Sequence, residues 1–176
     1  GHISTWETGR VTDMEYLFCA DTDSSSGLCN AGAASFNEDI SGWDTSEVTD
    51  MAYMFREASA FNQPIGGWVV EKGTNMQWMF KYASSFDQDI SGWMVSKVDD
   101  MSDMFKYATS FTQPLGGWQV DQVTDMNDMF KDASAFDQDL GWCVGDGVFD
   151  PDGYGYSIQD ALSGPQCAST SCGIGN

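Results

Sequence analysis

Apolar residues recur along this chain in fixed columns, and the interval between columns is about 25 residues. Tryptophan opens each unit at Trp43, Trp68, Trp93, Trp118 and Trp142, with an earlier copy at Trp6. In register behind it stand Met14, Met51, Met76, Met101 and Met126, then Leu17, Met54, Met79, Met104 and Met129 beside Phe18, Phe55, Phe80, Phe105 and Phe130. An alanine column and a second phenylalanine column, Phe36 to Phe136, complete the set. Met101, Met104, Phe105 and Ala108 lie at i, i+3, i+4 and i+7, which predicts one face of a short α-helix in every unit. Thr49 and Thr124 stand where a helix would be capped, Asp50, Asp100 and Asp125 in its first turn, and Arg56, Lys81, Lys106 and Lys131 near its other end.

After each tryptophan the period changes to two. Trp68-x-Val70, Trp93-x-Val95, Trp118-x-Val120 and Trp142-x-Val144, with Thr45 in the same column, predict a short strand with one buried face. The glycines before the tryptophan are expected to supply the tight turning between elements. A 25-residue unit cannot bury its own apolar face, so stacked copies must share a core. The expected fold class is therefore α/β, a solenoid with one short strand and one short helix per coil. It covers residues 1–144 in about five coils, with an insertion near 21–32 and an irregular C-terminal cap over 145–176.

The run Trp43-Asp-Thr-Ser-Glu-Val-Thr-Asp-Met-x-x-Met-Phe-x-x-Ala, continuing to Phe61-Asn-Gln, resembles the short repeat of BspA-like leucine-rich-repeat surface proteins. The similarity extends from about Trp6 to Val144. It implies a right-handed, leucine-rich-repeat-like stack in a secreted or cell-surface protein that serves attachment and recognition, with no associated catalytic residues.

Charge narrows the partners. The chain carries a formal charge of −20 with a pI near 4.1, which argues against nucleic acid and anionic membranes and favours cations or basic partners. No apolar run is long enough to span a bilayer, so a soluble fragment is expected, with any leader or anchor outside these residues. Cysteines fall at the insertion and the C-terminal segment and none in the repeating columns, as an oxidising compartment would favour. Cys19 and Cys29 flank the polar insertion at a spacing a disulfide would staple; Cys143 can pair with Cys167 or Cys172.

Catalysis is not expected, because the only histidine is His2 and a nucleophile elsewhere has no imidazole base. Calcium is the possible cofactor. Asp150-Pro-Asp152-Gly, followed by Asp160, has the opening of a calcium loop but lacks the closing glutamate; the column Asp39, Asp89 and Asp139, with Asp87 and Asp137, is a second candidate. The threonine column Thr12, Thr49, Thr74, Thr124 invites an ice-binding reading that Asp99 interrupts. The variable outward columns, Asp44, Val69, Met94, Gln119 and Ser46, Glu71, Ser96, Asp121, are the candidate ligand-binding face, since variation on a fixed scaffold is what recognition needs. The expected function is a non-enzymatic extracellular or cell-surface recognition or adhesion module for a protein or glycan, with a calcium-binding or mineral-associated acidic structural protein as the alternative.

Overall fold

The computed structural model describes residues 2–22, 27–138 and 140–142. The columns do stack as successive coils, but the coils are not built of helix and strand. Among the described residues the only helical segments are two 3-10 turns, Ile3–Thr5 and Ala31–Ser35. Among the same residues extended pairing is limited to single parallel bridges, Asp13–Asp50, Asp50–Asn75, Asn75–Asp100 and Asp100–Asp125. The expected α/β, leucine-rich-repeat-like coil is overturned.

Hydrogen bonding explains what replaces the helix. In Met101–Ala108 the amides of Met104, Lys106 and Ala108 bond back three residues, to Met101, Asp103 and Phe105, at 3.2, 3.1 and 2.9 Å. The alternate amides, Met101, Asp103, Phe105 and Tyr107, instead donate to the next coil, to the carbonyls of Asp125, Asn127, Met129 and Lys131, at 2.8–2.9 Å. Ser102 N–H is taken by the Asp100 carboxylate at 2.9 Å, so every donor of the segment is satisfied. Three overlapping turns place Met101, Met104, Phe105 and Ala108 on the same inward side as a helix would, and all four are fully buried. The same spacing thus serves two backbones. The turns require positive φ at non-glycine residues: Tyr53 and Glu57, Trp78 and Tyr82, Asp103 and Tyr107, Asp128 and Asp132 lie between 52° and 61°. Such left-handed backbone costs ~1–2 kcal/mol per residue, and the inter-coil bonds offset it by holding each amide in place.

The helix-capping roles change accordingly. Thr49, Thr74 and Thr124 donate their hydroxyls to the carbonyls of Thr12, Thr49 and Asp99 on the preceding coil, which ties up the threonine array that an ice-binding surface would need free. Asp50, Asp100 and Asp125 accept from the amide two residues on, at 2.9 Å each; they cap local turns and not a helix. The column of cations lies along the stack: Lys81 and Lys106 both pair with Asp103, and Lys106 and Lys131 with Asp128. Where aromatic residues precede those aspartates in the column, Arg56 and Lys81 lie 4.4 and 3.4 Å from the centroid of the Trp78 ring, as cation–π attraction favours.

Among the described residues, Trp68-x-Val70, Trp93-x-Val95 and Trp118-x-Val120 join no sheet. Their coils are linked through side chains: the indole N–H of Trp68, Trp93, Trp118 and Trp142 donates to the carbonyl of Ile40, Ile65, Ile90 and Leu115, each at 3.2 Å. Alternation survives because extended residues point to opposite sides whether or not a strand partner is present. Inside, aromatic columns stack along the axis, Phe80–Phe105 and Phe105–Phe130 at 5.5 Å, Trp93–Trp118 at 6.5 Å. Of the glycines before tryptophan, Gly66 is sterically required, since a β-carbon there would lie 2.2 Å from the Asp89 carbonyl. Gly42, Gly67, Gly92 and Gly117 have neither positive φ nor any neighbour within 4 Å of an added β-carbon, so tight turning does not account for them.

The insertion is anchored. Cys19 and Cys29 form a disulfide, Asn30 N–H bonds to the Cys19 carbonyl at 2.8 Å, and buried Asp21 meets Arg56 at 2.7 Å.

Candidate binding face

The outward column between the buried tryptophan and Val or Thr positions is continuous. Asp44, Val69, Met94 and Gln119 are all exposed, Val69 by 45% and Met94 by 63%. In the neighbouring column Glu71 and Asp121 are exposed, while Ser46 and Ser96 are half-buried. The first column lies between two turns, one closing on the preceding Ile or Leu, such as Trp93 to Ile90, and one on the following Val or Gly, such as Val98 to Val95, and the second column, Ser46, Glu71, Ser96 and Asp121, sits within that second turn. Flanking turns therefore aim the column outward.

Between Met94 and Gln119 lies an open cleft of about 170 Å³ lined by residues 91–96 with Gly117 and Gln119. Met94, Ser96 and Gln119 were legible from the period of two. Gly92 and Gly117 stand in the glycine column expected to make turns, and Ser91 carries no periodic signal of its own.

Carboxylates near this face are held ionised. Asp44 accepts from the hydroxyl and amide of Ser46 at 2.6 and 3.0 Å, and Asp89 from those of Ser91 at 2.7 and 2.9 Å. The serine hydroxyl first, and the amide second, hold both carboxyls below the ordinary aspartate value. Asp39 is held down in the same way by Ser41. Glu47 takes up Lys72 at 2.7 Å.

As a cation column, Asp39 and Asp89 do not converge with Asp87. Asp87 instead accepts from the amide and hydroxyl of Thr112 and the amide of Gln113, each at 2.9 Å, on the next coil. Asn37 and Asn62 receive the amides of Asn62 and Asp87 in the same fashion. Among the described residues no three His, Cys, Asp or Glu side chains are grouped to hold a metal. Asp139, the loop residues Asp150, Asp152 and Asp160, and Cys143, Cys167 and Cys172 lie outside the described residues, as does the proposed cap. The only histidine, His2, is exposed and pairs with Glu38 at 3.2 Å. No helix among the described residues is long and apolar enough to cross a membrane.

A stack of turn-built coils, each repeating the same buried columns and presenting a variable outward one, defines a repeat protein. The chain belongs to the family described as "Mycoplasma protein of unknown function, DUF285", whose model matches residues 1–30 and 26–143. No curated protein and no solved structure shows a significant match.

Proposed function

We propose that this chain is a non-enzymatic recognition module, working outside the cell or at its surface, and that the Val69–Met94 face makes the contact with a partner protein or glycan. The observation that carries this reading is the pair of large apolar side chains standing 45% and 63% exposed in a column whose neighbours on either side are buried. Solvent exposure of single apolar residues is ordinary, but here two occupy the same outward column on adjacent coils, and Met94 lines a cleft as well, which is how an interface anchor is built. The Cys19–Cys29 disulfide supports an oxidising location. Resemblance of the repeat to BspA-like surface proteins supports attachment as the role.

A screen of glycans and of cell-surface proteins tests the proposal. Val69→Asp with Met94→Asp should abolish binding of the partner recovered, whereas Thr109→Asp with Ser134→Asp adds the same charge at exposed positions elsewhere on the coils and should not. A partner that ignores the first pair and is lost with the second refutes the assignment of the face.

A further inference from the structure

The cleft beside Met94 sits in an acidic surround, and it is too small for most free ligands. Small-molecule sites run to roughly 300–1,000 Å³; this one offers about 170 Å³, room for a single side chain. It is lined by Met94 and Trp93 and by Ser91, Ser96 and Gln119, whose hydroxyl and amide groups are able to hydrogen-bond a peptide backbone passing over it. In the face columns and the residues that flank them, Asp44, Glu47, Glu71, Asp89 and Asp121 stand against Lys72 and Lys97, and Lys72 is already paired with Glu47. Asp89 is hydrogen-bonded to Ser91 of the cleft, and Glu71 and Asp121 occupy the column of Ser96 one coil to either side, at a coil spacing of ~5 Å that is shorter than the ~8 Å screening length.

Gly92 and Gly117 line the same cleft. Neither has positive φ, and a β-carbon on either would touch nothing within 4 Å. The fold tolerates a side chain at these positions, and one placed there would take up space beside the cleft.

Resting on the recognition face proposed above, we propose that the Met94 cleft is a socket for one aliphatic side chain of a basic peptide segment, with its backbone held by Ser91, Ser96 and Gln119 and its flanking cations by the surrounding carboxylates. Opposite charge steers the segment to the face, and burial of the anchor sets which residue is chosen.

Fluorescence anisotropy with fluorescein-labelled Lys-Lys-Leu-Lys-Lys at physiological salt tests this against the same peptide with Ala for Leu and against Glu-Glu-Leu-Glu-Glu. The leucine peptide should bind about 10-fold tighter than the alanine one, the factor expected for burying the extra apolar atoms, and the acidic peptide should not bind. Gly117→Leu, which fills the socket, should erase the leucine preference while the melting temperature stays put; if that variant loses stability, Met94→Ala, which removes a wall, gives the same readout. Equal binding of the leucine and alanine peptides, binding of the acidic peptide, absence of any binding, or a leucine preference that survives both variants overturns the proposal. A screened surface partner that is lost with Val69→Asp and Met94→Asp but indifferent to Gly117→Leu would leave the face standing and remove the socket alone.

Discussion

Phe105→Ala measures how far the core columns carry this fold. Phe105 is fully buried, and its ring meets Phe111 at 4.2 Å, Phe80 and Phe130 at 5.5 Å, and Trp118 at 6.5 Å. Removing it forfeits ~2 kcal/mol of transfer free energy and leaves a void of order 100 Å³, which at ~24 cal/mol per Å³ adds ~2.4 kcal/mol. Collapse cannot recover much of this, because the Phe105 amide is fixed to Met129 at 2.8 Å and its carbonyl to the Ala108 amide at 2.9 Å. A loss of ~4–5 kcal/mol follows, at the upper end of the usual range for such truncations. Met94→Ala, at a position 63% exposed, should cost under ~1 kcal/mol. Urea unfolding followed by tryptophan fluorescence, with slopes compared to confirm a shared unfolded state, gives both values. Losses within ~1 kcal/mol of each other would refute the assignment of inward and outward columns.

Further outcomes are expected from the turns and the charges. Replacing Cys19 and Cys29 by serine should lower stability by ~2–3 kcal/mol, because the bridge closes a short loop; equal melting temperatures with and without reductant would contradict it. Gly66→Ala should destabilise by more than ~2 kcal/mol, since its β-carbon would lie 2.2 Å from the Asp89 carbonyl and overpacking against backbone has no relief, whereas Gly92→Ala should fall within ~0.5 kcal/mol of the parent. Burial alone would push the Asp128 carboxyl up, but hydrogen bonds and charge from Lys106 and Lys131 outweigh it and hold the group below its ordinary value. A depressed carboxyl stabilises fully above the unfolded value and loses that contribution as pH falls through the folded one. Asp128→Asn should therefore lower the melting temperature at neutral pH and flatten its fall in acid, and parallel melting curves across the acid range would count against the ladder. Lys106 fits the same picture: burial pulls it down, yet Asp128 and Asp103 win and raise it.

Sequence periodicity determined which residues face inward. Every member of the repeated methionine and phenylalanine columns from Met51 to Phe111 is buried, and the alternation that turned Val69 and Met94 outward holds. Five copies at one spacing leave little freedom, because a unit this small must share its apolar face with its neighbours. Backbone conformation was decided only by the stack. Met101, Met104, Phe105 and Ala108 share a side in an α-helix and equally in three overlapping turns, so the spacing could not separate them. A helix of about eight residues is marginal by itself, whereas neighbouring coils offer a carbonyl to every second amide, as Asp125, Asn127, Met129 and Lys131 do here. Those acceptors lie 24 residues along the chain from their donors, outside any local reading. Tyr107 and Trp78 gave no warning of positive φ, since left-handed backbone is normally marked by glycine, or by asparagine or aspartate. The cleft was hidden for a related reason: Gly92 and Gly117 look like turn residues in a line of sequence, and only the space around their α-carbons shows that the backbone does not require them.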